Sequence, residues 1–364
     1  MIGALARLRD GMLGRGRAAV TVPVFDGALK PNNVLDAARV VAQLEAPADI
    51  ASDGSTVFVA DGSRVLALDA GGALQPVLDA ARTITAIACI EGGIACALDG
   101  QEIHVFGGRY DDRHIVDASG EKMTALNALV ADGSRLVASD GSSSRPCDEW
   151  RHDLMEIGRS GRVFSFDLER NKSSRRSTGL GYAFGAAISA GDLLVSESWR
   201  HRIVRLPRSG PERVVLDHLP GYPSRLAPAA SGGHWLTMFC ARTQLVEFVL
   251  REPDYRSRMI KSIDPDLWIA PQLSSFISYH EPLQHGALKQ LGRVKPWAPP
   301  RSYGLVVRLD ATGQPLYSFH SRMGGPYHGI VSVAELGERL FLLSKGDRVL
   351  AVLDIPQAES ELAP

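Results

Sequence analysis

Apolar and β-branched residues come in short runs along this chain, many alternating with polar ones, and most runs stop at an Asp-Gly, Gly-Gly or Ala-Gly pair. Alternation predicts strands with one face buried, and these dipeptides predict tight hairpin turns between them. The punctuation repeats. Residues 50–78 read as four strands turning at Asp53-Gly54, Asp61-Gly62 and Gly71-Gly72, and 84–116 repeat the arrangement. Residues 126–142 with 161–172 make a third unit and 184–216 a fourth. Residues 225–250, completed by 303–319, make a fifth, and 331–355 supply three strands of a sixth. Units recurring at about 40 to 50 residues predict an all-β fold, a six-bladed β-propeller forming one domain over residues 1–364. A β-sandwich would leave the recurring xVxxS/AD rhythm of the units unexplained. The sixth unit lacks its outer strand, and AVTVPVF (19–25) is the candidate to close the ring.

Two stretches break the repeat. Residues 143–160 extend the third unit as a hairpin insertion, and 252–302 extend the fifth as a partly helical, lid-like insertion. In the second, Leu273, Phe276, Ile277 and His280 fall on one helical face, while prolines cut the segment into short pieces. A long insertion of this kind is as consistent with packing as with covering a site.

Composition narrows the function. The 40 basic residues are balanced by 41 acidic ones for a net charge of -1, and no basic cluster is long enough to track a phosphate backbone. Nucleic acid is excluded as a partner. No apolar run approaches a membrane span, which points away from a membrane partner and toward a soluble cytoplasmic protein. Cys89, Cys96, Cys147 and Cys240 form no CxxC pair, so a structural zinc site is not expected. Cys89 and Cys96 flank one turn, close enough to approach each other, but two small buried residues in a sheet are the simpler reading.

At SESWRHRIVRL (196–206), LPGYPSRLA (219–227), GRVFSFDLE (161–169) and YGLVVRLDATGQPL (303–316) the chain resembles the strictosidine-synthase-like family. That family sits in a larger set of six-bladed propellers with gluconolactonases, regucalcin and paraoxonases. The resemblance implies a site at the mouth of the central channel, where the hydrolytic members bind calcium through residues at the starts of inner strands. Here the Pro-Glu position of that pattern reads Pro47-Ala48, with Asp49 next. Asn127 matches a ligand position, Phe184 replaces another, and Tyr-Pro-Asp-Asn becomes Tyr222-Pro223-Ser224-Arg225. A guanidinium cannot ligate a metal, so no cofactor is expected; a shifted calcium site would have to recruit Asp49. The family's condensing glutamate position falls on Ser332 or Val333, with Glu335 beyond it, so strictosidine formation is not expected.

The residues left at the channel mouth suggest their own chemistry. His328, Asp49 and Arg225 are the candidate catalytic group: the histidine or the acid to move a proton, and a cation to hold an oxyanion or carboxylate, with Asp49 otherwise orienting the histidine or simply pairing with Arg225 to fill the channel. Asn127, Phe184, Tyr222, Trp150 and Tyr327 are the candidate substrate-binding residues, with Trp268, Tyr279 and Trp297 offered by the insertion. Glu197 and Trp199 read as blade packing. The expected partner is a small molecule, and the expected activity metal-independent lactone or ester hydrolysis, with lyase or condensing chemistry next. The alternative is a propeller that binds a ligand or protein without catalysis. Oligomeric state is not readable from the sequence.

Overall fold

The computed structural model describes residues 22–275, 278, 280–281, 289–290, 293–294 and 301–362. Six four-stranded antiparallel sheets form the blades of a β-propeller. Blade one spans Pro47–Ser52 to Leu74–Asp79, blade two Ile84–Ile90 to His114–Ile115, and blade three Leu126–Asp132 to Lys172–Leu180. Blade four runs from Ala183–Ser189 to Arg213–Leu216, and blade five from Gly221–Pro228 to Pro315–Ser321. Blade six contains Ile330–Leu336, Arg339–Ser344 and Val349–Asp354.

The ring closes with a different strand from the one the pattern suggested. Arg39–Gln43, not 19–25, pairs antiparallel with Val349–Asp354 and becomes the outer strand of blade six. Three residues then lead from it into blade one, a short connection that delivers the chain where the ring must start. Val22–Phe25 form no strand, and residues 19–21 lie outside the described residues. The segment after them covers the outer edge of blade five instead. Asn32 Nδ2 donates to the Ser318 carbonyl at 2.8 Å and its Oδ1 accepts from the His320 N–H at 3.0 Å, so one side chain satisfies an open strand edge.

The second strand of five blades ends in a residue or turn whose acid caps the chain entering that blade. Asp61 accepts from the N–H of Ala46, Asp99 from Thr83, Asp140 from Ala125, Glu197 from Gly181 and Asp347 from His328. This is the physical content of the xVxxS/AD rhythm: backbone donors between blades find a carboxylate. Blade five departs, because its second strand His234–Ala241 leads into the large insertion.

That insertion begins earlier than the pattern indicated. QLVEFVLR, which alternates enough to read as a strand, is the helix Gln244–Arg251, capped by Thr243 Oγ1 accepting from the Val246 N–H. A second helix, Pro253–Ser262, starts with proline at its first turn. The helical face expected over Leu273–His280 is not seen at Leu273–Ser275, and Phe276 and Ile277 lie outside the described residues. The shorter insertion of blade three carries the helix Trp150–Met155. Arg151 on it donates to the Pro265 carbonyl at 3.0 Å and Gln272 Oε1 at 2.9 Å, joining the two insertions.

Cys89 and Cys96 are free; Cys96 stands opposite Ile87 and Cys89 opposite Ile94. Burial pushes both thiols up to about 12. No helix among the described residues is long and apolar enough to cross a membrane.

Candidate functional site

Each inner strand carries one extra residue near its start. The register slips at Ala48 in blade one, Thr85 in blade two and Asn127 in blade three. It slips again between Ala183 and Ala186, between Pro223 and Leu226, and at Val331. A bulge re-aims a side chain that the pleat would otherwise direct elsewhere. Ala48, Thr85, Asn127, Phe184, Arg225 and Val331, one from each slip, all line a cavity of about 600 Å³ at the channel mouth.

The antiparallel blades put the turns between second and third strands on this same side of the ring. Both insertions and the turn 345–348 arise at such turns, and they build the walls. Pro146, Cys147, Asp148 and Trp150 come from blade three's insertion, Leu273 and Ser274 from blade five's, and Lys345, Gly346 and Arg348 from blade six.

Arg225 and Asp49 form the buried floor. Arg225 is 8% exposed and Asp49 is 2% exposed. Arg225 Nε stands 3.1 Å from Asp49 Oδ1, at an angle that makes an ion pair but no hydrogen bond. Nη2 donates to the Thr85 carbonyl at 3.0 Å, and the guanidinium lies 5.4 Å from the centre of the Phe184 ring. Nη1 has no hydrogen bond among the described residues. Asp49 Oδ1 accepts from the Ile50 N–H and the Ser332 hydroxyl, both at 2.8 Å, and Oδ2 from the Ile87 N–H at 3.0 Å. Burial raises the Asp49 carboxyl from its ordinary value, while Arg225 and these donors pull it down. It accepts hydrogen bonds from three blades and pairs with a fourth through Arg225, which makes Asp49 a brace for that guanidinium.

Of the residues singled out from the sequence, Arg225, Asn127, Phe184 and Trp150 line the cavity, and Asp49 lies beneath it. His328, Tyr222 and Tyr327 do not line it. His328 Nε2 donates to the Arg322 carbonyl at 2.9 Å, so Nδ1, 2.7 Å from Ser302 Oγ, accepts from that hydroxyl. Tyr222 is fully buried among His201, Trp199 and Phe239, and Tyr327 donates its hydroxyl to the Ala38 carbonyl at 2.6 Å. Each serves packing. Trp268 is buried with its Nε1 on the Ile263 carbonyl, and Tyr279 and Trp297 lie outside the described residues. Glu197 holds Arg202 and the Gly181 N–H, and Trp199 donates to Asp153 at 2.7 Å.

Sequence reasoning missed Lys345. It sits on a turn braced on both sides: Ser344 Oγ donates to Asp347 Oδ2 at 2.9 Å, and the Lys345 N–H donates to the Gly329 carbonyl at 3.0 Å. Gly346 can carry no side chain, since a Cβ there would meet the Leu273 carbonyl at 2.0 Å. The signal available was its place at a second-to-third-strand turn, on the face where inner strands begin.

No family model matches the chain. Among curated proteins it is 25% identical over 248 residues to the adipocyte plasma membrane-associated protein of Salmo salar, covering 65% of this chain and 53% of that one. The Bos taurus protein of the same name is 25% identical over 306 residues, covering 72% and 71%. Protein STRICTOSIDINE SYNTHASE-LIKE 10 of Arabidopsis thaliana is 24% identical over 165 residues, 43% of each chain. The chain thus spans about half the length of the salmon relative it matches. Among solved structures, a gluconolactonase from Xanthomonas campestris superposes with a TM-score of 0.54 at 15% identity, covering 93% of this chain and 96% of that one. The calcium-binding protein regucalcin from Agrobacterium tumefaciens gives 0.51 at 11%, covering 87% and 93%. The chain is a six-bladed propeller whose homologues include a strictosidine-synthase-like protein and whose fold is shared with gluconolactonase and regucalcin.

Proposed function

We propose that this propeller is an enzyme that takes a small carbonyl compound into the channel cavity and hydrolyses its lactone or ester bond without a metal ion. The observation that carries this reading is Arg225: a buried cation, held by Asp49 and Thr85, with Nη1 left without a partner among the described residues at an open cavity. A donor fixed in a poorly hydrated site stabilises the oxyanion that forms when water attacks a carbonyl. The cavity volume falls within the range of small-molecule sites.

The donor set supports metal independence. Calcium takes six to eight oxygen ligands, yet of the six bulged residues Ala48, Phe184 and Val331 offer no side-chain oxygen, which leaves only Thr85 and Asn127 among them able to give one. Arg225 adds a positive charge. These residues do not fit calcium, and no cluster of three or more His, Cys, Asp or Glu among the described residues would hold a metal.

One observation favours the second reading, a ligand-binding propeller without catalysis: the histidine expected to move the proton is engaged elsewhere through both ring nitrogens. The deciding experiment is a panel of lactones and aryl esters assayed with and without chelator. Turnover of at least one compound is expected, unchanged by chelator and reduced about 100-fold in Arg225→Met. Chelator-sensitive turnover refutes metal independence, and saturable binding without turnover establishes the second reading. A cytoplasmic location belongs to the same proposal, supported by four free thiols and tested by cell fractionation.

A further inference from the structure

We infer that Lys345 is a reactive amine that captures a small aldehyde or keto acid in the channel cavity by forming an imine, with Arg225 holding the acid's carboxylate. The inference goes beyond hydrolysis and does not require it.

Four observations place this chemistry here. Lys345 lines the same cavity as Arg225 and is exposed there. Its ammonium has no hydrogen bond or ion pair among the described residues, whereas Glu45 and Asp99, on the same wall with Asp148 and Arg348, pair with Arg64 and Arg82. The turn that carries it is fixed to the start of the inner strand by Ser344, Asp347 and the Gly329 carbonyl. The cavity wall it shares carries the apolar side chains of Trp150, Phe184, Phe239, Leu273 and Val331 beside its charged residues. A lysine in apolar surroundings beside another cation loses its proton more readily, and the neutral amine is the nucleophile.

The charged and titratable groups facing Lys345 act in the same sense on balance. Enclosure by the walls and the charge of Arg225 lower the ammonium from its ordinary value, while Cys147 and Asp148 oppose them. Cys147 is no competitor as a nucleophile, because burial pushes its thiol up to about 12.

The step balances without an oxidant or reductant. The lysine ammonium releases a proton, its nitrogen attacks the carbonyl carbon, and the C–N bond forms as the C=O π electrons move to oxygen. The carbinolamine oxygen then leaves as water, taking up one proton from the attacking nitrogen and the one released at the start. Ammonium plus carbonyl becomes protonated imine plus water, with the charge conserved.

The test uses the full chain, glyoxylate as the acidic carbonyl and propanal as the neutral one, with cyanoborohydride to reduce any imine and peptide mapping by mass spectrometry. At pH 7 glyoxylate is expected to label Lys345 at least about tenfold faster than any of the other six lysines. Propanal is expected to label it more slowly. Lys345→Arg, which keeps the charge, is expected to abolish that label with an unchanged melting temperature; if it melts early, Lys345→Gln takes its place. Labelling of Lys345 no faster than of Lys30 or Lys122 overturns the amine, and equal rates for propanal and glyoxylate overturn the carboxylate contact. Labelling without turnover of any ester or lactone counts against hydrolysis and leaves the imine standing.

Discussion

Two buried aspartate–arginine pairs in this propeller look alike in sequence and differ in what surrounds them. In blade three, Arg162 Nε lies 3.1 Å from Asp140 Oδ2, Nη1 reaches Glu121 at 3.0 Å and Nη2 the Lys122 carbonyl at 2.9 Å. Asp140 Oδ1 also accepts from the Ala125 N–H at 2.7 Å. Every nitrogen of that guanidinium has a protein partner. At the channel, Arg225 has one hydrogen bond, one ion pair without a hydrogen bond, and Nη1 without any among the described residues. Burial and pairing are common to both, so neither marks a site. What separates them is donor capacity left unmatched beside a cavity.

The largest effect that would test this contrast is at the saturated pair. Asp140→Ala leaves Arg162 without its buried carboxylate, with only Glu121 and the Lys122 carbonyl to hold it, and the Ala125 N–H without an acceptor, and is expected to cost about 3–5 kcal/mol in urea denaturation. Adding Arg162→Met should recover little, because backbone groups stay unmatched. At the channel the same logic predicts the reverse. Asp49→Asn with Arg225→Met should be more stable than either single variant, with an interaction energy of about 1–3 kcal/mol, while ligand binding stays lost. Equal recovery at the two pairs would erase the distinction.

A third charged cluster places scaffold electrostatics between these cases. Burial works against ionisation of Glu247, but hydrogen bonds from His201 and Arg242 outweigh it and hold the carboxyl at about 2. A carboxyl depressed in the folded state adds stability above its unfolded value, and that stability disappears as pH falls toward the folded one. Between about pH 4.5 and 2 the wild type should therefore lose up to about 3 kcal/mol that Glu247→Gln never had. Parallel stability curves for the two proteins would remove the cluster from the account. The smallest effect is expected at the exposed pair Arg170–Asp167, where Arg170→Ala should leave the urea-denaturation midpoint unchanged.

The blades were legible because strand alternation and turn dipeptides are local, and so is the acid that ends most second strands. The closing strand was not. AVTVPVF and RVVAQ both have strand composition, and only proximity to blade one, set by closure of the ring, selects Arg39–Gln43. QLVEFVLR misled for a related reason: its apolar residues suit either period, and Thr243 as a cap decides for the helix. Around the cavity, Asn127, Phe184 and Arg225 were readable because the resemblance put them at the starts of inner strands, where the register slips occur. His328, Tyr222 and Tyr327 were not, since a polar tip near an inner strand does not reveal whether it faces the cavity or a neighbouring blade. Lys345 escaped because its position matters only once six turns are known to share one face.

The six register slips carry a consequence for how this channel can change. Each blade contributes one bulged residue to the cavity, and the inner strand around it is paired through backbone groups. The interior therefore behaves as a six-letter word, here Ala, Thr, Asn, Phe, Arg, Val, spelled on a frame of backbone pairing, although Thr, Asn and Arg also tie neighbouring blades through their side chains. Chemistry can be rewritten one letter at a time, and a lineage can exchange one reaction for another through point substitutions while the ring that displays them stays the same.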